Sequence, residues 1–486
     1  MKKYNIYGIL FLALLLRLYH ISFPIAGWHS WRQSDTAAMS RNFYENGYNL
    51  LYPQIDWGGN TPGYVESEFP IYQFAVSILY KLFSTDVLWG RLLSVIFSIA
   101  TIYGLYLLVK KIISEKTALW ATFIYAIIPL NIFYGRSFMP ESAMLMSSVW
   151  GLYWFSRWTE SNAVRHFILA AIFVAMAALL KIPSLYLLLP LFYLAKLHLQ
   201  KNVFKTKDIW LFALIVILPV FGWYFHAHQI AIGSGLTFGI WGFGGSHKWG
   251  NFDTIVTLKF YNDVFFKSIA ERHLTYIGFI FFVIGLFIKR KSKEEKFFDY
   301  WLIAVIIYFV IVAKGNQVHE YYQLPFILPA VVFVGKAFDK YLDIDYIYES
   351  FLNKPIAASL VILSLLGIFT LSYLRYERFM NSESYNTSLF ELASAVQKKT
   401  RRNELIVTVS GGNPVILYLC DRKGWNSATT DLDSLFLGNK VKMGAKYLVG
   451  QKQSFQTIEE AKMLEYVCKK YNSIVDTPDY FILRLE

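Results

Sequence analysis

The sequence predicts an α-helical polytopic membrane protein with about eleven transmembrane helices, one interfacial helix and a small exterior α/β domain at its C-terminus. Three observations carry this. Hydrophobic residues make up 55% of the 486 and charged residues only 17%, against about 25% charged in globular chains. Apolar stretches long enough to cross roughly 30 Å of hydrocarbon recur along the first three quarters of the chain. Beyond residue 375 the charge density rises and the periodicity changes. Mean hydropathy is +0.37, which excludes a disordered chain and an ordinary soluble enzyme. Two cysteines exclude a disulfide scaffold and a Cys-rich metal site.

The apolar segments are 4–23, 86–109, 117–134, 139–158, 164–181, 183–199, 208–227, 274–290, 297–313, 320–338 and 354–374. The first has no small-residue cleavage site after it, since Gly27-Trp28-His29 follows, so it is read as a span and not a cleaved leader. Pro70–Ser84 is shorter and carries Lys81. Charge decides its placement. If it lies in the interface, the loops holding Lys110/Lys111/Lys116, Arg157/Arg165, Lys196/Lys201/Lys205/Lys207, Lys289–Lys296 and Lys336/Lys340/Lys354 share one side with Lys2 and Lys3. The positive-inside rule then sets a cytoplasmic N-terminus in the plasma (inner) membrane. The net charge of +13 is explained by these cytoplasmic anchors and needs no nucleic acid.

This topology divides the chain into a transmembrane domain, 1–374, and an exterior soluble α/β domain, 375–486. It leaves outside a long first loop (24–85), the turn 135–138, a second loop (228–273) and Lys314–His319. In the exterior domain Leu405–Val409 reads as a buried strand, Tyr447–Val449 as another, Thr457–Lys470 as an amphipathic helix, and Ile474–Val475 and Tyr480–Leu485 as strands. Alternating strand and helix implies an α/β fold. Gly411-Gly412 follows the first strand without a GxGxxG or Walker pattern, so no nucleotide site is expected. Cys420 and Cys468 both lie there; a disulfide is permitted, and two thiols are the alternative.

Charges are scarce inside the spans. Arg17, Arg91 and Lys181 stand toward outer ends. An ion-coupled transporter would place ionisable groups near the bilayer midplane, so the pattern disfavours transport. The polar residues gather outside instead. In WRQSDTAAMSRNFYENG, residues 38, 39, 42, 43 and 46 have helical spacing, with Asp35 expected near the helix N-terminus. There the dipole would favour its charged form, and Ser34 or Asp35 would suit a cap. Tyr64, Glu66, Glu68 and Tyr72 lead into the interfacial helix; helix-terminal charge is the plain alternative. Asp56 reads as a turn residue. Arg136 to Glu141 (RSFMPE) places a proline and an acid at a helix start, which capping explains as well as function does. His319, Glu320, Tyr321 and Tyr322 open a late apolar helix just after Lys314, where aromatic-belt tyrosines are the alternative. The second loop adds Arg272, His273 and the glycine- and tryptophan-rich 239–250, which suits sugar contact, lid closure or a plain interfacial loop. No HExxH or zinc-ligand Cys/His spacing occurs. A divalent metal on Glu68 and a histidine is the one cofactor left open.

These motifs carry a resemblance. The chain resembles the C-type (GT-C) multi-spanning glycosyltransferases of the protein-mannosyltransferase and aminoarabinose-transferase (ArnT-like) type. An acid, Asp35, follows the first span. Glu68-Phe69-Pro70 precedes an interfacial helix, Arg136–Glu141 forms the turn after the third span, and His319–Pro325 (HEYYQLP) opens a late one. The likeness covers about residues 1–340. Many members have two adjacent acids in the first loop, where this chain has Ser34 before Asp35. Some have Lys before the proline, where this chain has Phe69, so a phosphate contact must come from Arg136, Arg272 or Lys314.

The resemblance implies a hexosyl or pentosyl transferase that takes a sugar from a polyprenyl-phosphate donor at the outer membrane face and passes it to a cell-envelope lipid, glycan or protein. A lipid-phosphate leaving group has a second pKa of about 6 and needs little protonation, and cations stabilise it directly. One carboxylate base then suffices, unlike the carboxylate pair of hydrolases. Asp35 is expected as that base in an inverting displacement. Glu68 and Glu141 would orient acceptor or sugar. Arg136, Arg272, Lys314 and His319, with Glu320, Tyr321, Tyr322 and Tyr64 nearby, would bind the substrate or its phosphate. All of these must then meet in one exterior cavity. The alternatives are a flippase or transporter of lipid-linked saccharides, and a non-catalytic partner that recruits envelope enzymes.

Overall fold

The computed structural model describes residues 5–199, 203–240, 248–250, 252–341, 355–381 and 386–486. Most of the glycine- and tryptophan-rich stretch in the second loop, residues 241–247, lies outside them, as do Lys2, Lys3, Lys201 and Lys354. The chain forms two compact units. One comprises Met1–Ile21, Arg91–His226 and Gly239–Arg378; the other comprises Ser22–Gly90, Ala227–Phe238 and Phe379–Glu486.

The first unit is helical. Every apolar segment is occupied by helix, but many helices are shorter than the segments that contain them. Among the described residues, three helices are long and apolar enough to cross a membrane: Val87–Ile112, Lys207–Ser234 and Glu320–Tyr341. Leu258–His273 with Thr275–Phe287, bent by 110°, makes a fourth if the pair is one span. Breaks account for part of the shortfall. Segment 117–134 divides into Glu115–Ile127 and Pro129–Tyr134, because the ring of Pro129 drives Ile128 to an extended ψ of 140°. Segment 183–199 opens as a 3-10 turn, Ile182–Leu187, before Leu188–His198. The second loop is a correction: Lys207–Ser234 runs on past residue 228, and 262–273 is π-helical.

A break in a helix frees carbonyls that need other donors. Arg17, fully buried, satisfies them here. Its Nη1 donates to the carbonyls of Ala13 and Ala126, both at 3.1 Å, its Nη2 to that of Asn131 at 3.3 Å, and its Nε to Ser98 Oγ at 2.8 Å. Asn131 Nδ2 reaches the Tyr125 carbonyl at 3.4 Å, the acceptor that Pro129 cannot serve. Arg17 is therefore a clamp on the helix break. Arg17→Leu is expected to cost several kcal/mol, at about 1–3 per buried acceptor left bare, and to lower the melting midpoint of the detergent-purified protein. An unchanged midpoint would refute the clamp. Helices approach closely where side chains vanish: a methyl at Gly335 would stand 2.8 Å from the backbone of Thr117 and Ala121.

The second unit holds a five-stranded sheet in the order β2-β1-β3-β5-β4, with β1 Leu405–Val409, β2 Gly424–Ser427, β3 Ala445–Gln451, β4 Asn472–Asp476 and β5 Tyr480–Arg484. β1 is parallel to β2 and β3; β5 is antiparallel to β3 and β4. The alternating side chains of β1 serve two cores: Ile406 packs with Leu392, Leu417 and Cys420, and Val407 with Leu437, Val467 and Phe481. Cys420 and Cys468 fall in these different cores and are free thiols. Thr457 caps Ile458–Lys470 in a capping box with Glu460. The same unit includes the first-loop helices Ser30–Asn46 and Ile71–Leu82.

Candidate functional site

The first cluster is built on Ser30–Asn46, whose residues from Ser30 to Phe43 are nearly all buried. The helix starts earlier than its spacing implied. His29 occupies the N-cap with φ 52°, so Asp35 lies in the second turn and neither it nor Ser34 is a cap. The i, i+3, i+7 spacing puts Arg32, Asp35 and Met39 on one face. Asp35 Oδ1 accepts from the indole N–H of Trp57 at 2.9 Å. The expectation that the dipole would favour the charged form is overturned: burial pushes the Asp35 carboxyl up to about 7, against the opposing pull of the Trp57 hydrogen bond and the Arg32 charge. Loss of water outweighs both.

Arg32 Nη2 meets Glu68 Oε2 at 2.8 Å, and its guanidinium lies 5.1 Å from the centre of the Phe238 ring. Glu68 precedes Pro70, the N-cap of Ile71–Leu82, so it is not ordinary helix-terminal charge. Glu66 is fully buried. The Thr237 hydroxyl donates to its carboxylate, and its backbone pairs with Leu236 and Phe238. His228 Nδ1 stands 3.9 Å from its Oε1. Asp56 is a buried partner of Arg41, at 2.6 Å, and of Asn42, at 3.0 Å. Tyr64 is half-buried, its backbone bridging Gln54 and its ring 5.1 Å from that of Tyr52.

The second cluster belongs to the helical unit. Glu141 is the first residue of Glu141–Ser161, and Lys181 stands just past the end of Val164–Leu180. These two helices pack together, which brings Lys181 Nζ to 3.0 Å from Glu141 Oε1. Lys181 also lies 5.6 Å from the ring centres of both Tyr321 and Tyr322. The four residues line a small cavity that Tyr186 and Tyr308 also wall. Glu141 Oε2 and Ser184 Oγ are buried there without a hydrogen-bond partner among the described residues. A carboxylate oxygen and a hydroxyl among phenol rings leave hydrogen-bonding capacity for hydroxyl groups.

His319 stacks on Tyr321 and Tyr322, with centroids 5.3 and 6.1 Å apart. Glu320 is not in the cavity wall. Its carboxylate accepts from the Tyr134 hydroxyl at 3.0 Å, and its carbonyl lies 3.1 Å from His273 Nε2. Arg136 is buried and donates to the Tyr19 carbonyl at 3.1 Å. Arg272 is half-buried and Lys314 exposed. The structure thus joins Glu141 to Tyr321 and Tyr322 in one cavity, through Lys181. Sequence reasoning missed Arg32, Trp57 and Lys181 as site residues; only Arg32 carried a signal, its i, i+3 spacing from Asp35. Among the described residues no three His, Cys, Asp or Glu side chains gather as metal ligands, and Glu68 is taken up by Arg32.

Residues 67–224 match the family described as dolichyl-phosphate-mannose-protein mannosyltransferase. None of the curated proteins matches the sequence. Among solved structures, ArnT from Cupriavidus metallidurans in the apo state superposes with a TM-score of 0.67 at 11% identity, over 99% of this chain and 97% of that one. The same enzyme bound to undecaprenyl phosphate gives 0.64 at 11%, over 99% and 98%. The Archaeoglobus fulgidus oligosaccharyltransferase AglB, in complex with an inhibitory peptide and a dolichol-phosphate, gives 0.60 at 13%, over 99% and 76%. These likenesses establish the fold.

Proposed function

We propose, on the premise that this chain carries the C-type membrane glycosyltransferase fold, that it moves a sugar from a polyprenyl-phosphate donor to a hydroxyl of a cell-envelope acceptor. The observation that carries the reading is the buried Asp35 carboxylate held by Trp57. A buried carboxylate that gains its charge near neutrality is matched to the work of a general base. Asp35 takes the proton of the acceptor hydroxyl as its oxygen attacks the anomeric carbon. The bond from that carbon to the phosphate oxygen breaks, and the polyprenyl phosphate leaves with the electron pair. One displacement inverts the anomeric centre.

The remaining roles follow the chemistry of each side chain. Glu141, with an oxygen to spare, accepts from sugar or acceptor hydroxyls, and Lys181 fixes its direction. Glu68, anchored by Arg32, orients the acceptor. Arg136, Arg272, Lys314 and His319 supply cationic or hydrogen-bonding groups for the phosphate. Eleven spans, a cytoplasmic N-terminus in the inner membrane and an exterior C-terminal sheet belong to the same reading, since the donor's phosphate stays at the membrane surface. Incubating the purified protein with radiolabelled polyprenyl-phosphate sugars and an envelope extract tests it. New labelled glycoconjugate is expected. Label that crosses proteoliposomes without a new bond would make the protein a flippase instead, and neither result would leave the fold without catalysis.

A further inference from the structure

The edge strand β2 reaches the loop that carries Trp57. Gly424 N–H donates to the Asp56 carbonyl at 3.0 Å, and the Gly59 N–H returns a bond to the Gly424 carbonyl at 2.7 Å. Trp57 stands between these two strand-like bonds, and its indole N–H is the donor on Asp35. The loop also packs closely on the strand: Gly59 has φ +66°, and a methyl there would stand 2.3 Å from the Trp425 ring. Neighbouring ion pairs brace the arrangement, Arg41 with Asp56 at 2.6 Å and with Asp421 at 3.0 Å, and Arg402 with Asp421 at 2.6 Å.

We propose that Trp57 is the positioning residue of Asp35, and that the C-terminal sheet, through Gly424 and Trp425 on its edge strand, holds Trp57 in place. The proposal rests on the reading of Asp35 as base. On this view the C-terminal residues belong to the catalytic machinery by contact, and do more than append a separate module. The groups facing Asp35 are Arg32, itself tied to Glu68, and Asp56, tied to Arg41 and Asn42. None of them supplies the hydrogen bond that Trp57 makes to Oδ1. A donor on a carboxylate oxygen favours the charged form, and it also fixes where the second oxygen points.

Trp57→Phe keeps an aromatic ring and removes the donor. The acid limb of the kcat profile is expected to move up by about one pH unit, and kcat at pH 7 to fall about fivefold, with donor KM changed less than about twofold. Raising the pH should restore much of the loss, which a misfolded enzyme could not do. Gly59→Ala, which touches neither Asp35 nor the indole N–H, should move the limb in the same direction if the edge strand sets Trp57. Asp35→Asn is run beside them. If it is inactive while the acid limb of both other variants coincides with that of the parent, the positioning role is overturned and the base stands. If it is active, the base reading falls and the proposal falls with it.

Discussion

Asp35→Asn is expected to lower transfer by about a hundredfold or more, the usual contribution of a general base, while the protein still folds. Asparagine has nearly the same shape and keeps an oxygen to accept from Trp57; it lacks the negative charge and carries a non-basic amide nitrogen in place of the second oxygen. The pH dependence sharpens the test. With the carboxyl pushed up to about 7 by burial, its active, charged form grows in as pH rises through neutrality, so kcat should climb across that range. Stability should run the other way. The folded state binds the Asp35 proton more tightly than the unfolded chain, whose carboxyl titrates near 3.9. Between about 4 and 7 the native state therefore holds more protons, and this residue's contribution to stability falls as pH rises through that window. Asn has no such loss. Melting at pH 5 and pH 8 should show the variant gaining relative to the parent at the higher pH. Normal transfer in the variant would remove Asp35 as base; collapse at pH 8 would make it a structural residue.

Lys181→Met should be the most damaging single change in the cavity. Glu141 is 1% exposed and Lys181 9%, so removing the ammonium leaves a carboxylate buried without its counter-charge. Breaking a buried pair in this way costs about 3–5 kcal/mol, whereas replacing both partners with neutral groups is often tolerated. Glu141→Gln combined with Lys181→Met should therefore recover most of the melting temperature. Transfer should stay lost, because Gln presents one oxygen where Glu141 presents two, and the cation over Tyr321 and Tyr322 is gone. Full activity in the double variant would reduce the pair to a helix bolt.

The sequence by itself determined the class of molecule. Apolar stretches separated by basic loops demand a helical membrane protein, because lipid forbids unpaired backbone. The short apolar runs Leu405–Val409 and Tyr480–Leu485, alternating with helical stretches, implied a sheet beyond them, and the HEYYQLP and RSFMPE motifs pointed to the resemblance at the level of fold. Short-range spacing also placed a helix across residues 38–46. It failed where local rules were overruled. The start of Ser30–Asn46 was misplaced because His29 caps it in the left-handed region, and β2 was missed because its four residues, Gly424–Ser427, show no apolar run.

Only the tertiary structure decided which charges meet. Lys181 and Glu141 are 40 positions apart and join because two helices pack side by side. Trp57 finds Asp35 because an edge strand more than 360 residues later grips its loop. It also decided the sign of the Asp35 shift. A dipole can be read from position in a helix, but desolvation depends on everything that covers the carboxylate, and here that cover outweighs every local influence.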